Sequence, residues 1–138
     1  MDILADYVKG KQFQAIGSSE YHTVIDAKAS NGGTGSGATP MELVLMAAAT
    51  CSGMDIVTVL NKMKIYFDKL QIAVHGDQAT VDPRMFTKID ITYRFWGDSL
   101  PQNKIDNAVK LVLDKYCPVV VMLKQVAALN YVLEFNPS

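Results

Sequence analysis

The sequence contains few of the residues that most often carry chemistry: two cysteines, two histidines and one tryptophan among 138 residues. It also has no surplus of positive charge, since thirteen basic and fourteen acidic residues leave a formal charge of -1. Proteins that bind nucleic acid use clustered basic residues, so we expect no nucleic-acid partner. The candidate soft ligands Cys51, Cys117, His22 and His75 show no CxxC or HxxxH spacing. The sequence therefore predicts neither a metal site nor another cofactor.

The N-terminal segment has no basic leader followed by an apolar run, as a secretory signal would, so we expect a cytoplasmic protein. Two cysteines in that reducing compartment rarely form a structural disulfide. The residues alone leave two alternatives for Cys51 and Cys117, which are inert core residues or reactive thiols.

One long apolar stretch, residues 43–60, contains a single charge, Asp55, and is close to the length of a membrane span. Its middle is small and weakly apolar, and no second span or basic flank accompanies it. We therefore expect no membrane partner and predict a helix that is buried on most sides. Its start is predicted by Thr39 as the cap, Pro40 in the first turn and Glu42 three residues after the cap.

A glycine-rich segment, residues 30–37, precedes this helix and invites comparison with a phosphate-binding loop. It has neither a Gly-Lys-Ser/Thr ending nor a GxGxxG pattern. We interpret it as a flexible connection rather than a nucleotide site.

Length and composition predict one domain over residues 1–138 with a sizeable core, because 49% of the residues are hydrophobic and 20% are charged. Apolar residues at period two predict strands, and apolar residues at helical spacing predict two later helices. The strands are expected over 12–16, 21–26, 70–74, 89–95 and 129–135, and the helices from Ser99 to about Tyr116 and from Pro118 to about Val126. This order indicates an α+β fold with a largely antiparallel sheet.

The two cysteines occupy different positions in the predicted helices. Cys51 lies in the middle of the long helix, four residues before Asp55, so the two side chains share a face. That carboxylate is either paired or in contact with water, and its charge disfavours a thiolate beside it. Cys117 precedes Pro118 at the start of a helix whose N-terminal amides favour a thiolate. The residues therefore predict that Cys117 is the more acidic thiol.

Two segments carry a family likeness. Residues 38–51 read ATPMELVLMAAATC, the helix continues as MDIVTVL over 54–60, and residues 116–119 read YCPV. These residues resemble the OsmC/Ohr superfamily of osmotically inducible and organic hydroperoxide resistance proteins, and most closely its small YhfA-like branch. The likeness extends over most of the chain.

The resemblance implies an OsmC-like fold in which antiparallel sheets wrap on a long buried central helix. It also implies an intertwined homodimer with two sites at the subunit interface. By this analogy Cys51 attacks the O–O bond of an organic hydroperoxide, and Cys117 resolves the resulting sulfenic acid as a disulfide. A dithiol reductant then restores the thiols, and the biological role is oxidative stress defence.

The resemblance also implies two charged residues that activate the attacking thiol, an arginine from the N-terminal strands and a glutamate directly after the helix-opening proline. Here no arginine precedes Arg84. Lys11, or Lys9, lies near the expected position of the arginine and is the candidate source of charge, although lysine lacks the bidentate fork.

The counterpart of the glutamate is also displaced, because Met41 follows Pro40 and the acid is Glu42. On an ideal helix Glu42 projects about 180° away from Cys51, since nine residues turn by roughly 100° each. Glu42 remains a candidate catalytic residue, but the capping role is favoured.

Two functions therefore stay open. The first is a thiol-dependent peroxidase, which the cysteine pair favours. The second is a non-catalytic OsmC-like dimer that binds a small apolar or electrophilic molecule at the subunit interface, which the missing arginine favours. A zinc-dependent role is a more distant alternative.

Overall fold

The computed structural model describes all 138 residues and has the predicted α+β character, with six strands and three α-helices. The strands are β1 (Ile3–Lys9), β2 (Gln12–Gly17), β3 (His22–Ile25), β4 (Lys69–Gln78), β5 (Phe86–Trp96) and β6 (Ala128–Phe135). The helices are α1 (Pro40–Lys62), α2 (Gln102–Leu111) and α3 (Pro118–Lys124), with a π-helical turn (Val112–Tyr116) after α2. The chain divides into two units, Met1–Val44 and Leu45–Ser138, so a single domain over 1–138 stays a prediction.

The N-terminal unit is built on an antiparallel sheet in the order β1-β2-β3. The strands predicted over 12–16 and 21–26 are present as β2 and β3, which pair with each other. Strand β1 was not predicted, because its sequence ILADYVK does not alternate apolar and polar residues. Every residue of β1 is exposed to solvent in this unit, so the strand is held by its hydrogen bonds to β2 rather than by burial.

The glycine-rich segment 30–37 folds around a carboxylate of its own unit. Asp26 accepts hydrogen bonds from the amides of Ala27, Thr34 and Ser36 and from the Thr34 hydroxyl. The Thr34 hydroxyl, and then these amides, lower the pKa of Asp26 to about 2, although burial acts to raise it. An internal anion therefore uses amides that a phosphate-binding loop would offer to its ligand.

The start of α1 is a reciprocal capping box, as predicted. The Thr39 amide donates to Glu42 Oε2 at 2.7 Å, and the Glu42 amide donates to Thr39 Oγ1 at 3.2 Å. Pro40 occupies the first helical position, where its missing N–H costs nothing.

The C-terminal unit contains the second sheet, in the order β4-β5-β6. Strands β4 and β5 are antiparallel, whereas β5 and β6 are parallel. The sheets are thus largely antiparallel, as the strand pattern predicted, but not the entirely antiparallel sheets that the family resemblance implied. The reason is the connection: α2, the π-helical turn and α3 form a crossover long enough to return the chain in the same direction. The inward side chains of β5 form the core of this unit: Ile89, Ile91, Tyr93 and Phe95.

The start of α2 differs from the prediction. The helix was expected to start at Ser99, but it begins at Gln102 with Pro101 at the cap and no side-chain capping bond. Ser99 instead has a left-handed backbone, with φ of 52°, in the turn after β5. The expected end near Tyr116 is confirmed, because the π-helical turn continues the helix to that residue.

Within the C-terminal unit, α1 buries one face. Its buried residues are Ala48, Ser52, Gly53, Ile56 and Leu60. Met46 and Met54 are 51% and 70% exposed, so burial on most sides is not confirmed in a single chain. The helix is long and apolar enough to cross a membrane by length and composition, a test that the core helix of a soluble protein also passes.

Candidate functional site

The two cysteines are free thiols held by helices of the C-terminal unit. Cys51 is half-buried in the middle of α1, whereas Cys117 is fully buried at the cap of α3. Pro118 keeps Cys117 out of the helix, because the residue before a proline is forced into an extended conformation. The Cys117 sulfur accepts a hydrogen bond from the Val120 amide at 3.5 Å, which makes the thiol itself the helix cap.

Cys51, Asp55 and Cys117 form one cluster, which we call the thiol–carboxylate cluster. The two Sγ atoms and one carboxylate oxygen of Asp55 all lie within 4.8 Å of one another. The four-residue spacing of Cys51 and Asp55 places both on one face of α1, as predicted. The structure thus brings together two cysteines that are 66 positions apart in the sequence.

Asp55 has no compensating partner in this cluster. Its Oδ2 atom is buried without a hydrogen bond, and the residue takes part in none of the ion pairs. Both arginines of the chain are engaged elsewhere, Arg84 with Asp82 at 3.6 Å and Arg94 with Glu134 at 2.6 Å. The charged group that the C-terminal unit places beside the two thiols is therefore the carboxylate of Asp55, and not an arginine.

Cys117 was expected to be the more acidic thiol because helix amides would favour its thiolate, but its pKa is raised rather than lowered. Burial first, and then the neighbouring Cys51 and Asp55, raise the pKa of Cys117 to about 11. The Val120 amide lowers the pKa, but one long hydrogen bond at the start of a seven-residue helix does not offset burial. Cys117 is consequently a neutral thiol at physiological pH.

A cavity of about 450 Å³ adjoins the cluster through Asp55, which belongs to both. It is lined by Asp55, Thr58, Val59, Lys62, Met63, Leu111 and Tyr116. The sequence analysis did not identify these lining residues. Two signals could have found them: those in α1 follow Asp55 at helical spacing, and Tyr116 directly precedes Cys117. Asp55 was expected either to form an ion pair or to contact water. It forms no ion pair, and it borders the cavity.

Lys11 and Glu42, the two other candidate residues, belong to the N-terminal unit. Lys11 Nζ donates a 2.6 Å hydrogen bond to the backbone oxygen of Asn31. The Thr39 amide and hydroxyl lower the pKa of Glu42, so this carboxylate serves as an ionised helix cap. The catalytic roles of both residues stay predictions.

Comparison with known proteins identifies the family. The model of the OsmC-like protein family matches residues 33–131. Protein YhfA of Escherichia coli strain K12 is 30% identical over 135 residues, which cover 97% of this chain and 97% of the relative. The chain therefore belongs to the OsmC-like protein family, and the resemblance that its sequence suggested is confirmed.

Solved structures share the fold. An OsmC-like protein from Mycoplasma pneumoniae has a TM-score of 0.83 at 19% identity, covering 97% of this chain and 95% of that one. An organic hydroperoxide resistance protein OsmC, predicted redox protein, from Legionella pneumophila has a TM-score of 0.71 at 16% identity, covering 97% of both chains. At these identities the likeness establishes the fold alone.

Proposed function

We propose that this protein is a cytoplasmic thiol peroxidase that reduces organic hydroperoxides in oxidative stress defence. The observation that carries the proposal is the approach of the Cys51 and Cys117 sulfurs to within 4.8 Å. A disulfide bond is about 2.05 Å long, so it requires two sulfurs that are neighbours in space, as these are. Membership of the OsmC-like family supports a redox role, and the Legionella relative is itself described as a predicted redox protein.

The difference in burial assigns the two roles in this proposal. Cys51, half-buried, attacks the hydroperoxide; its sulfur takes the terminal oxygen as the O–O bond breaks, giving a sulfenic acid and an alcohol. The fully buried Cys117 thiol then attacks that sulfur, and water leaves as the disulfide forms. An external dithiol reduces the disulfide by exchange and is itself oxidised to a disulfide.

Asp55 sets the expected efficiency. The cluster places the Asp55 carboxylate within 4.8 Å of both sulfurs, and neither arginine lies there to activate the attacking thiol. Turnover is therefore slower than in a peroxidase with an activating cation. The proposed roles of Lys11 and Glu42 in activating Cys51 rest on the family resemblance alone.

A homodimer is part of the proposal. Strand β1 has both faces exposed, with Ile3 at 67% and Leu4 at 61% exposure, and α1 presents Met54 at 70%. Apolar surface of this extent on a sheet and a central helix favours cover by a second copy of the chain. Sedimentation equilibrium tests this, and a monomer at micromolar concentration would overturn it.

Stopped-flow oxidation by cumene hydroperoxide, followed by reduction with a dithiol, tests the peroxidase. We expect catalytic turnover in the wild type and none in Cys51→Ser. Cys117→Ser should consume one equivalent of hydroperoxide and stop at the sulfenic acid. Thr50→Ser, at the exposed neighbour of Cys51, is the matched control and should retain the wild-type rate. A wild-type rate equal to that of free thiol contradicts the proposal.

The cavity favours a second candidate, a non-catalytic protein that binds a small apolar or electrophilic molecule. Its volume of about 450 Å³ lies in the range of small-molecule pockets. This function predicts a co-purified ligand in native mass spectrometry together with slow thiol oxidation. An empty protein with fast oxidation excludes it.

A further inference from the structure

The thiol–carboxylate cluster has the composition of a metal-binding site. Cys51, Asp55 and Cys117 each offer one donor atom, and the three atoms lie within 4.8 Å of one another. Two donors come from successive turns of α1 and the third from the cap of α3, so separate elements fix them around one point. Thiolate sulfur is a soft ligand that selects zinc-like ions over magnesium or calcium.

No cationic side chain of the protein compensates the carboxylate of this cluster. The Oδ2 atom of Asp55 is buried without a hydrogen-bond partner, and no lysine, arginine or histidine forms an ion pair with it. Buried carboxylate oxygens are normally hydrogen-bonded, paired or bound to metal, because an isolated buried charge is strongly disfavoured by the loss of its hydration. A cation between Asp55 and the two sulfurs would satisfy all three groups.

We propose that Cys51, Asp55 and Cys117 bind a thiophilic divalent cation of the zinc type. Tetrahedral zinc has bonds of roughly 2.3 Å to sulfur and 2.0–2.2 Å to oxygen, which put its ligands roughly 3.8 Å apart at most. The observed limit of 4.8 Å requires side-chain shifts of about 1 Å. Three protein ligands leave a fourth position for water or a small ligand, and the cavity that Asp55 lines adjoins the cluster.

Metal binding and disulfide formation exclude each other at this site. Binding releases the two thiol protons to solvent and engages both sulfurs, whereas oxidation joins the same sulfurs and removes them as ligands. The inference does not rest on the peroxidase proposal, because a metal site formed by the reduced protein requires no hydroperoxide chemistry.

Cobalt titration of the reduced full-length protein under anaerobic conditions tests the site. We expect thiolate-to-cobalt charge-transfer absorption that saturates at one ion per chain and disappears when Zn²⁺ is added. Asp55→Asn should weaken the affinity by about tenfold or more, and Cys117→Ser should reduce the charge-transfer intensity. His75→Ala is the control, because the exposed His75–Asp77 pair also carries a nitrogen and a carboxylate that could bind cobalt nonspecifically; this variant should bind as the wild type does.

A thermal shift on the wild type gives a measure that does not depend on the folding of any variant. Zn²⁺ should raise the melting temperature of the reduced protein, and a chelator or prior oxidation to the disulfide should abolish the rise. Absence of charge-transfer absorption, or cobalt binding that survives Asp55→Asn and is lost in His75→Ala, overturns the metal site. If the protein turns over hydroperoxide in the presence of a chelator and does not bind cobalt, the metal site alone is contradicted. If it binds cobalt but does not turn over hydroperoxide, only the peroxidase proposal is contradicted.

Discussion

The Tyr93 hydroxyl donates a 2.8 Å hydrogen bond to Ser52 Oγ, the side chain next to Cys51 along α1. Ser52 in turn donates to the Ala48 backbone oxygen at 2.7 Å, and both Tyr93 and Ser52 are fully buried. This chain of hydrogen bonds connects β5 to the middle of α1. It therefore helps to fix the helical turn that carries Cys51.

Removal of this bond should cost stability. We expect Tyr93→Phe to lower the free energy of unfolding by about 1 kcal/mol, the usual net value of a buried hydrogen bond. Tyr131→Phe is the matched control, because the Tyr131 hydroxyl bonds to Asp106 at an exposed position and its loss should change stability by less than about 0.5 kcal/mol. Urea unfolding followed by circular dichroism measures both, and equal effects would contradict a special role for Tyr93.

Asp55 should suppress the thiolate of Cys117. Asp55→Asn removes one of the charges that raise the pKa of Cys117, so that pKa should fall below about 11. The Cβ chemical shift of Cys117 against pH, measured by nuclear magnetic resonance in a Cys51→Ser background, reports Cys117 alone. Asp114→Asn, an exposed acid paired with Lys124, is the control and should leave the curve unchanged. An unshifted curve in Asp55→Asn would contradict the electrostatic role of Asp55.

The same shift predicts alkaline destabilisation. The pKa of Cys117 rises from 9.0 to about 11 on folding, so the folded state holds this proton more tightly than the unfolded state. The resulting stability is complete below pH 9 and is lost as the pH rises through 11. Melting temperatures from pH 8 to 11 should fall more steeply in the wild type than in Cys117→Ala, and parallel slopes would argue against the assignment.

Local features of this fold were predictable from the sequence, whereas features set by tertiary contacts were not. The Thr39–Glu42 capping box depends on four consecutive residues and was predicted correctly. The acidity of Cys117 was predicted wrongly, because a helix-start rule contains no information on how deeply the residue is buried. The proximity of Cys51 and Cys117 depends on the crossover between β5 and β6, and family resemblance rather than spacing anticipated it.

Acid should weaken the loop around Asp26. Its pKa is lowered from 3.8 to about 2, so its contribution to stability is present above pH 3.8 and is lost as the pH falls through 2. Asp26→Asn should lower the melting temperature at neutral pH by several degrees and flatten its fall between pH 4 and 2. Asp6→Asn, on the exposed strand β1, is the control and should melt as the wild type does.

Gly33 should be the least replaceable residue of the same loop. A Cβ atom there would lie 2.0 Å from the backbone oxygen of Ala27, the residue whose amide binds Asp26, so the backbone itself must move. We expect Gly33→Ala to cost about 3 kcal/mol or more. Gly35→Ala is the control: Gly35 has open space around it and a φ of 66°, so only the left-handed backbone penalty of about 1–2 kcal/mol applies. Chemical unfolding of the two variants measures the difference, and a smaller loss in Gly33→Ala than in Gly35→Ala would contradict the close approach of Gly33 and Ala27.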